Sequence, residues 1–290
     1  MKLSIHTDRL ERRLGAIAAI KMIAAAGFEA IDYSMYYSDS PVFGRGGRIL
    51  ASELKRVAES YGVSFCQAHA PFSDFAVGAE NDGRNRAVYN SICESIAIAS
   101  KLGAPAIVVH PALICPRLSR EDRFNMNMEL YSHLVPFAKN YGVGILIENV
   151  IARHPEKNEK VVGSVCSDTA ELIKYADALS PMGVEVCFDA GHAGLAGESA
   201  AGMVKALGSR IKHIHLHDND FETDSHTLPY LLSTNYSSLC KALGRVGYSG
   251  DVSLESDGFF RNMPDALLPS ALLFSRSVAA YIRDEIIRYS

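Results

Sequence analysis

Eight short runs of apolar and β-branched residues recur along the chain, and most intervals between them show helical periodicity. The runs predict strands at about 2–6, 28–33, 63–69, 106–110, 143–149, 184–189, 211–217 and 251–256. The intervals predict helices over Arg9–Ala26, Leu50–Tyr61, Arg84–Leu102, Arg120–Tyr141, Thr169–Leu179 and Tyr236–Val246. Strands that alternate with helices pair in parallel, and eight of them close a barrel. We therefore predict an α/β fold, a single-domain (β/α)8 TIM barrel that spans residues 1–290.

An open, doubly wound sheet is the alternative arrangement of the same elements. Its nucleotide-binding versions carry a glycine-rich turn directly after the first strand. The first predicted strand of this chain is followed by Thr7-Asp8-Arg9-Leu10, which contains no glycine. The barrel is therefore the better prediction.

Composition and charge disfavour some classes of binding partner. The net charge is -4 and no long run of Lys or Arg is present, which disfavours a nucleic-acid partner and a membrane surface. The first residues, Met1 to His6, lack the apolar core of a signal peptide, and no stretch reaches the roughly 20 apolar residues of a membrane helix. The six cysteines form no C-x-x-C pair. We expect a cytoplasmic protein.

Polar side chains share one parity along the predicted strands. In the run at 184–189, Val186 and Phe188 alternate with Cys187 and Asp189. The apolar parity must face the surrounding helices, so the other parity faces the barrel interior. The last or near-last interior positions carry three imidazoles and three carboxylates: His69, His110, Glu148, Asp189, His215 and Glu255. They are predicted to meet at the C-terminal mouth, where barrel enzymes build their sites.

These six side chains together predict a divalent metal site. A lone histidine at a strand end is commonly structural, and Asp189 by itself could cap the next helix. Three carboxylates and three imidazoles in one partly dry mouth would cost several kcal/mol per charge, which a cation offsets. Mixed His and carboxylate sets suit Zn²⁺ or Mn²⁺, with Mg²⁺ or Co²⁺ as alternatives. The candidates for additional metal or substrate binding are His69, His110, His192, Asp224 and His226.

Six motifs give the chain a family resemblance. They are His-Ala-Pro-Phe at 69–72, Val-Val-His-Pro at 108–111, Leu-Ile-Glu-Asn at 146–149, Phe-Asp-Ala-Gly-His at 188–192, His-Ile-His-Leu-His-Asp-Asn-Asp at 213–220 and Ser-Leu-Glu-Ser at 253–256. Their order at successive strand ends resembles the xylose isomerase-like superfamily of barrels. That superfamily includes sugar phosphate isomerases and epimerases and the AP endonuclease family 2, to which endonuclease IV belongs.

The isomerase and epimerase branch provides the leading interpretation. The resemblance implies that Glu148, Asp189, His215 and Glu255 hold one divalent ion. It also implies that Glu148 and Glu255 transfer a proton by way of a metal-stabilised enediolate, and that His192 assists at a substrate hydroxyl. The expected substrate is a small molecule: a sugar, a sugar phosphate or a compound derived from a polyol.

Two other interpretations remain open. The nine positions that match zinc ligands of endonuclease IV are all present, which implies a zinc phosphodiesterase acting on abasic DNA. These are His69, His110, Glu148, Asp189, His192, His215, Asp224, His226 and Glu255. A non-catalytic, metal-sensing barrel is the third interpretation, which the intact carboxylate set disfavours. The apolar C-terminal helix at Leu267–Ile287 makes a homo-oligomer a further expectation.

The segment 218–235 departs from related sequences. Phe221 and Tyr230 stand where relatives usually have glycine, and Leu232 replaces another. The region also lacks the arginine that sugar epimerases tend to carry after the strand-seven histidine. We expect these changes to alter how closely the loop approaches a ligand, so the metal centre is better predicted than the substrate.

Overall fold

Eight parallel strands close a barrel in the computed structural model, which describes residues 1–37, 39–72, 83–112, 119–153 and 161–290. The described residues form ten strands, which are β1 (Leu3–His6), β2 (Ala30–Ser34), β3 (Ser64–His69), β4 (Ala106–Val108), β5 (Gly144–Glu148), β6 (Ile151–Arg153), β7 (Val161–Gly163), β8 (Glu185–Asp189), β9 (Ile211–Leu216) and β10 (Val252–Leu254). All of them but β6 and β7 belong to the barrel. The barrel order is β1-β2-β3-β4-β5-β8-β9-β10, and Leu3 pairs with Val252 to close it. The predicted (β/α)8 barrel is confirmed.

Helices surround the barrel in the order that the periodicity predicts. They are α1 (Asp8–Leu14), α2 (Ala16–Ala25), α3 (Gly47–Ser60), α4 (Gly83–Leu102), α5 (Arg120–Asn140), α6 (Thr169–Leu179), α7 (Ala190–Leu195), α8 (Ala200–Leu207), α9 (Tyr236–Arg245) and α10 (Leu268–Arg288). The single helix predicted over Arg9–Ala26 is wrong. Gly15, at φ 81°, ends α1 and begins α2, because this conformation breaks the helical hydrogen-bond ladder.

The segments after β5 and β8 hold elements that the sequence pattern does not reveal. β6 and β7 form an antiparallel pair outside the barrel, and α7 and α8 both follow β8. α7 has six residues, Ala-Gly-His-Ala-Gly-Leu, too few to show helical periodicity. This short helix positions His192 and therefore contributes directly to the site.

The barrel interior is apolar beneath the ends of β4, β5 and β8. Ala106, Val108, Leu146 and Cys187 form a small buried cluster inside the barrel. Three of them lie two positions before an interior polar residue, since Val108 precedes His110, Leu146 precedes Glu148 and Cys187 precedes Asp189. These apolar residues and the rim residues that follow them are all buried, so the rim side chains at the ends of β4, β5 and β8 are exposed to little water.

Apolar side chains of the opposite parity pack between the strands and the helices. Val186, Phe188, Ile214 and Leu216 are all buried there. No helix in the described ranges is long and apolar enough to span a bilayer. Four large side chains of α10 are about half exposed: Leu273, Phe274, Tyr281 and Ile287. The expected homo-oligomer stays a prediction.

Candidate metal centre

Four side chains meet at the C-terminal mouth and form what we call the inner cluster: Glu148, Asp189, His215 and Glu255. One candidate ligand atom from each lies within 4.8 Å of the others. His215 Nδ1 is 2.6 Å from Glu148 Oε1 and 3.0 Å from Glu255 Oε2. All four residues are buried. Glu148, Asp189 and His215 are strand residues, and Glu255 directly follows β10.

Asp189 is held in place by its backbone and by one carboxylate oxygen. The Asn149 amide donates to the Asp189 carbonyl at 2.8 Å and accepts from the Asp189 N–H at 2.8 Å. Asp189 Oδ1 accepts from the His192 N–H at 2.6 Å, so Asp189 does cap α7. Asp189 Oδ2 is buried without a hydrogen-bond partner among the described residues. A buried, unpartnered carboxylate oxygen beside an imidazole and two further carboxylates fits a divalent metal ion.

Glu148 is shared with a pair of histidines. His110 Nε2 lies 2.7 Å from Glu148 Oε2, and His69 Nε2 lies 3.6 Å from the same oxygen. The His69 Nδ1–H donates to the Ala70 carbonyl at 2.7 Å, which turns Nε2 toward the site. Burial raises the pKa of Glu148, but His215, His110 and His69 outweigh it and hold the pKa well below the ordinary 4.5. The carboxylate is therefore ionised and available.

A second group of side chains, the outer cluster, lies beside the inner one: His192, His217, Asp224 and His226. His226 Nε2 is 3.1 Å from Asp224 Oδ1, and the rings of His217 and His226 stack at a centroid distance of 3.8 Å. His217 Nε2 is 3.1 Å from Asp189 Oδ1, which joins the two clusters. Burial raises the pKa of Asp224, but His226 and His192 lower it further than burial raises it.

The loop after β9 that carries Asp224 and His226 is organised by Asp218. Its carboxylate accepts from the backbone N–H groups of Leu232 at 2.8 Å and Thr234 at 2.9 Å. Its backbone pairs with Thr227 through hydrogen bonds of 2.8 and 3.0 Å. Hydrogen bonds of Asp218 therefore connect the start of the loop with its middle and its end.

Two of the three glycine replacements, Phe221 and Tyr230, keep a glycine-like backbone. Phe221 has φ 66° and Tyr230 has φ 72°, both in the left-handed region. The Phe221 ring lies where a side chain at Gly194 would have to go. Both aromatic side chains are a little under half exposed. The substitutions thus change the surface of this loop while its backbone conformation remains the one that glycine favours.

Further polar residues lie around His215 and below the inner cluster, and apart from His215 the sequence analysis did not assign them to the site. Asp32 Oδ2 accepts from His6 Nε2 at 2.8 Å, His215 Nε2 at 3.0 Å, Ser253 Oγ at 2.9 Å and also from the Gln67 amide. We call these five residues, together with Tyr36, the floor network. Its sequence signal is Asp32, a charged residue between Ile31 and Tyr33 in the middle of a strand.

The floor network reaches Glu255 from below. The Tyr36 hydroxyl donates to Glu255 Oε1 at 2.6 Å and is also hydrogen-bonded to His6 Nδ1. With both ring nitrogens engaged, His6 fits the doubly protonated form. Burial lowers the pKa of His6, but the Asp32 and Glu255 carboxylates outweigh burial and raise the pKa above 6.5.

A cavity of about 840 Å³ opens next to Tyr36. Tyr36, Tyr37, Phe72 and Arg9 line part of it, and the rings of Tyr36 and Phe72 stack at 5.2 Å. A volume of this order accommodates a small ligand. None of the inner-cluster residues lines this cavity, and Tyr36, whose hydroxyl donates to Glu255, is its link to the inner cluster.

All nine sequence-predicted residues come together in three adjoining groups. The inner cluster holds Glu148, Asp189, His215 and Glu255; the histidine pair adds His69 and His110; the outer cluster holds His192, Asp224 and His226. His217 joins the outer cluster without having been predicted, although it shares the interior parity of His215. Their roles as ligands stay predictions.

Known proteins share this architecture. A family profile described as xylose isomerase-like TIM barrel matches residues 20–277. An uncharacterized protein of Methanocaldococcus jannaschii is 29% identical over 224 residues, which are 76% of this chain and 72% of that protein. The crystal structure of a D-tagatose 3-epimerase-like protein superposes with a TM-score of 0.74 at 21% identity, covering 99% of both chains. D-psicose 3-epimerase from Clostridium cellulolyticum H10, with D-tagatose, has a TM-score of 0.75 at 15% identity and 99% coverage of both. The solved structures share the fold, and the profile match over most of the sequence shows that the chain belongs to the xylose isomerase-like TIM barrel family.

Proposed function

We propose that the protein is a divalent-metal-dependent isomerase or epimerase of a sugar, a sugar phosphate or a polyol-derived substrate. The observation that carries the proposal is the placement of Glu148 and Glu255, which approach His215 Nδ1 from β5 and from the end of β10. β8 and β9 separate these strands in the barrel, so the carboxylates approach the mouth from different sides. A D-tagatose 3-epimerase-like protein and a D-psicose 3-epimerase are among the proteins with this fold, which supports the substrate class.

The inner cluster would hold the ion. Three carboxylates and one imidazole form a set that suits Zn²⁺ or Mn²⁺, and Mg²⁺ or Co²⁺ are alternatives. Such an ion would polarise the carbonyl and hydroxyl oxygens of the substrate and stabilise the negative charge that develops there. All four residues of the inner cluster are buried, and the low local dielectric strengthens these electrostatic interactions.

The two glutamates would move the proton. One carboxylate accepts the proton from the carbon beside the carbonyl, and the other returns a proton to the neighbouring carbon or to the opposite face. Glu148 is oriented by His110 and His215, and Glu255 by Tyr36 and His215. We assign His192 to a substrate hydroxyl, since it is anchored through its backbone to Asp189 at the rim of the inner cluster.

The test is exchange of a carbon-bound hydrogen with solvent. The metal-loaded protein would be incubated with a panel of ketoses and their phosphates in D₂O, and deuterium incorporation followed by NMR. We expect Glu148→Gln and Glu255→Gln each to lower exchange by about 10²–10⁴-fold, because each removes one acid–base group. Glu53→Gln on α3, away from the mouth, is the matched control. Exchange that persists unchanged in both site variants would refute the proposal.

A zinc phosphodiesterase acting on abasic DNA is the second candidate function. The specific observation is that the outer cluster and the histidine pair adjoin the inner cluster, so three groups of ligand-capable side chains lie side by side. Elemental analysis distinguishes the candidates. About one ion per chain favours the isomerase or epimerase, whereas two or three zinc ions together with incision of an abasic duplex favour the phosphodiesterase. The net charge of -4 offers little attraction for DNA.

A further inference from the structure

Asp32 lies at the centre of the floor network and is fully buried. A single oxygen, Oδ2, accepts hydrogen bonds from two imidazoles, a hydroxyl and an amide. The donors come from four strands or strand ends, β1, β3, β9 and β10, while Asp32 itself is on β2. One carboxylate therefore links five strands directly beneath the inner cluster.

The bond from Asp32 to His215 determines which ring nitrogen faces the inner cluster. His215 Nε2 lies 3.0 Å from Asp32 Oδ2 and 2.6 Å from the Gln67 amide nitrogen, which itself donates to Asp32 Oδ2. Because the carboxylate oxygen can only accept, we infer that His215 Nε2 carries a proton and donates it to Asp32. Nδ1, on the other edge of the ring, points at Glu148 Oε1 and Glu255 Oε2. A histidine that binds a metal through one nitrogen needs its other N–H fixed by an acceptor, commonly a carboxylate. Asp32 is that acceptor here.

A second branch leads from Asp32 to Glu255. His6 Nε2 is 2.8 Å from Asp32 Oδ2, and His6 Nδ1 is hydrogen-bonded to the Tyr36 hydroxyl. Tyr36 in turn donates to Glu255 Oε1 at 2.6 Å. That bond occupies one oxygen of Glu255 and leaves Oε2 toward His215 Nδ1.

We propose that Asp32 is the positioning residue of the metal centre: it fixes the His215 ring directly and the Glu255 carboxylate through His6 and Tyr36. The inference rests on the proposed function only in taking the inner cluster as the metal site. Asp32 is not itself a ligand of that ion, because it contacts the edge of His215 opposite to Nδ1. Its Oδ2 already accepts from four donors.

The first experiment measures metal affinity, which does not depend on knowing the substrate. Zn²⁺ binding would be titrated in competition with a chromophoric chelator. We expect Asp32→Asn to weaken binding about 10–100-fold, because the neutral amide oxygen is a weaker acceptor for both imidazole N–H groups than the charged carboxylate oxygen. Ser253→Ala is the matched control, since it removes another hydrogen bond to the same oxygen but touches neither branch. Equal affinity of Asp32→Asn and Ser253→Ala would overturn the proposal.

Tyr36→Phe separates the two branches. It breaks the bond to Glu255 and leaves the Asp32–His215 bond intact, so we expect metal affinity between those of the unsubstituted protein and Asp32→Asn. If Tyr36→Phe loses more metal affinity than Asp32→Asn, the metal centre depends more on the Tyr36–Glu255 bond than on Asp32, and the proposed role of Asp32 is wrong.

An NMR measurement covers the case in which Asp32→Asn fails to fold. In the zinc-loaded, ¹⁵N-labelled unsubstituted protein, we expect His215 to carry its proton on Nε2 and to bind metal through Nδ1. A proton on Nδ1, or ligation through Nε2, would overturn the proposal. If the affinity and NMR results agree with it while no sugar is turned over, the proposed function fails and the role of Asp32 stands.

Discussion

The inner and outer clusters lie next to each other but are built on different parts of the fold. Inner-cluster residues lie on strands or directly after one, and the parallel ladder fixes their register, with Glu148 opposite Cys187 and Asp189 opposite His215. In the outer cluster, His192 lies on α7 and Asp224 and His226 on the loop after β9. The inner ligands are thus positioned by the barrel itself, whereas two of the four outer side chains, Asp224 and His226, depend on a loop.

The two clusters therefore depend on different stabilising interactions. Closing a loop costs conformational entropy, which the hydrogen bonds to Asp218 offset before any ion binds. Strand ends need no such additional hydrogen bonds, because the hydrogen bonds of the β-ladder already order them. We infer that the outer cluster can be lost without loss of the inner one, and the following predictions test that asymmetry.

The largest effect is expected from removing one imidazole in each cluster. His215→Ala takes away the only nitrogen ligand of the inner cluster and frees Asp32, so we expect metal affinity to fall by more than about 100-fold, beyond the usual loss for an outer-shell residue. His226→Ala removes one of four outer side chains and should leave the tightest-binding ion in place. Competition titration of both variants is the measurement, and a comparable loss in the two would show that the clusters form one cooperative site.

Metal removal should destabilise the protein. The inner cluster would then leave three buried carboxylates without a cation, at several kcal/mol per unpaired charge. An ion at about 100 times its dissociation constant contributes about 2.7 kcal/mol, which corresponds to roughly 4–5 °C in Tm at an unfolding entropy of about 2.1 cal/mol/K per residue. Thermal unfolding with and without a chelator checks this. His215→Ala is the control and should show little further change, and an unchanged Tm of the unsubstituted protein on chelation would argue against a buried metal site.

The inner cluster was predictable from the sequence and the floor network was not, for a physical reason. Period-two alternation fixes which strand residues face the interior, so the pattern alone places Glu148, Asp189 and His215 at one rim. Asp32 obeys the same parity, but its importance comes from donors on four other strands, and their register is a tertiary property. His217 was passed over because its place beside His226 depends on the path of the loop.

Two glycines of α7 allow the outer cluster and its loop to be perturbed separately. A methyl group at Gly191 would overlap the buried ring of His217, while one at Gly194 would overlap the half-exposed ring of Phe221. We expect Gly191→Ala to cost about 1–3 kcal/mol, since His217 cannot move without disturbing the outer cluster, and Gly194→Ala to cost less because Phe221 can shift into solvent. Chemical denaturation of the metal-free variants measures both. Equal losses would mean that the loop moves as one unit with the cluster.

The smallest effect is expected from restoring a glycine at Tyr230. The left-handed conformation at φ 72° costs roughly 1–2 kcal/mol in a residue with a side chain, which glycine would relieve. Glycine also removes the ring contacts with Tyr236 and Tyr281 and adds about 0.5–1 kcal/mol of unfolded-state entropy. The terms nearly cancel, so we expect Tyr230→Gly to change the free energy of unfolding by less than about 1 kcal/mol.

Asp218→Asn, measured in the same denaturation experiment, gives the contrast for Tyr230→Gly. Its amide nitrogen cannot accept from a backbone N–H, so at least one buried donor loses its partner at a cost of about 1–3 kcal/mol. If Asp218→Asn is the more damaging change, the loop is held by its hydrogen bonds and the residue at the left-handed position is free to vary. A stabilisation above about 1 kcal/mol in Tyr230→Gly would instead mean that the loop is strained. The outer cluster would then be held in place at the expense of stability, whereas the barrel strands hold the inner cluster without such strain.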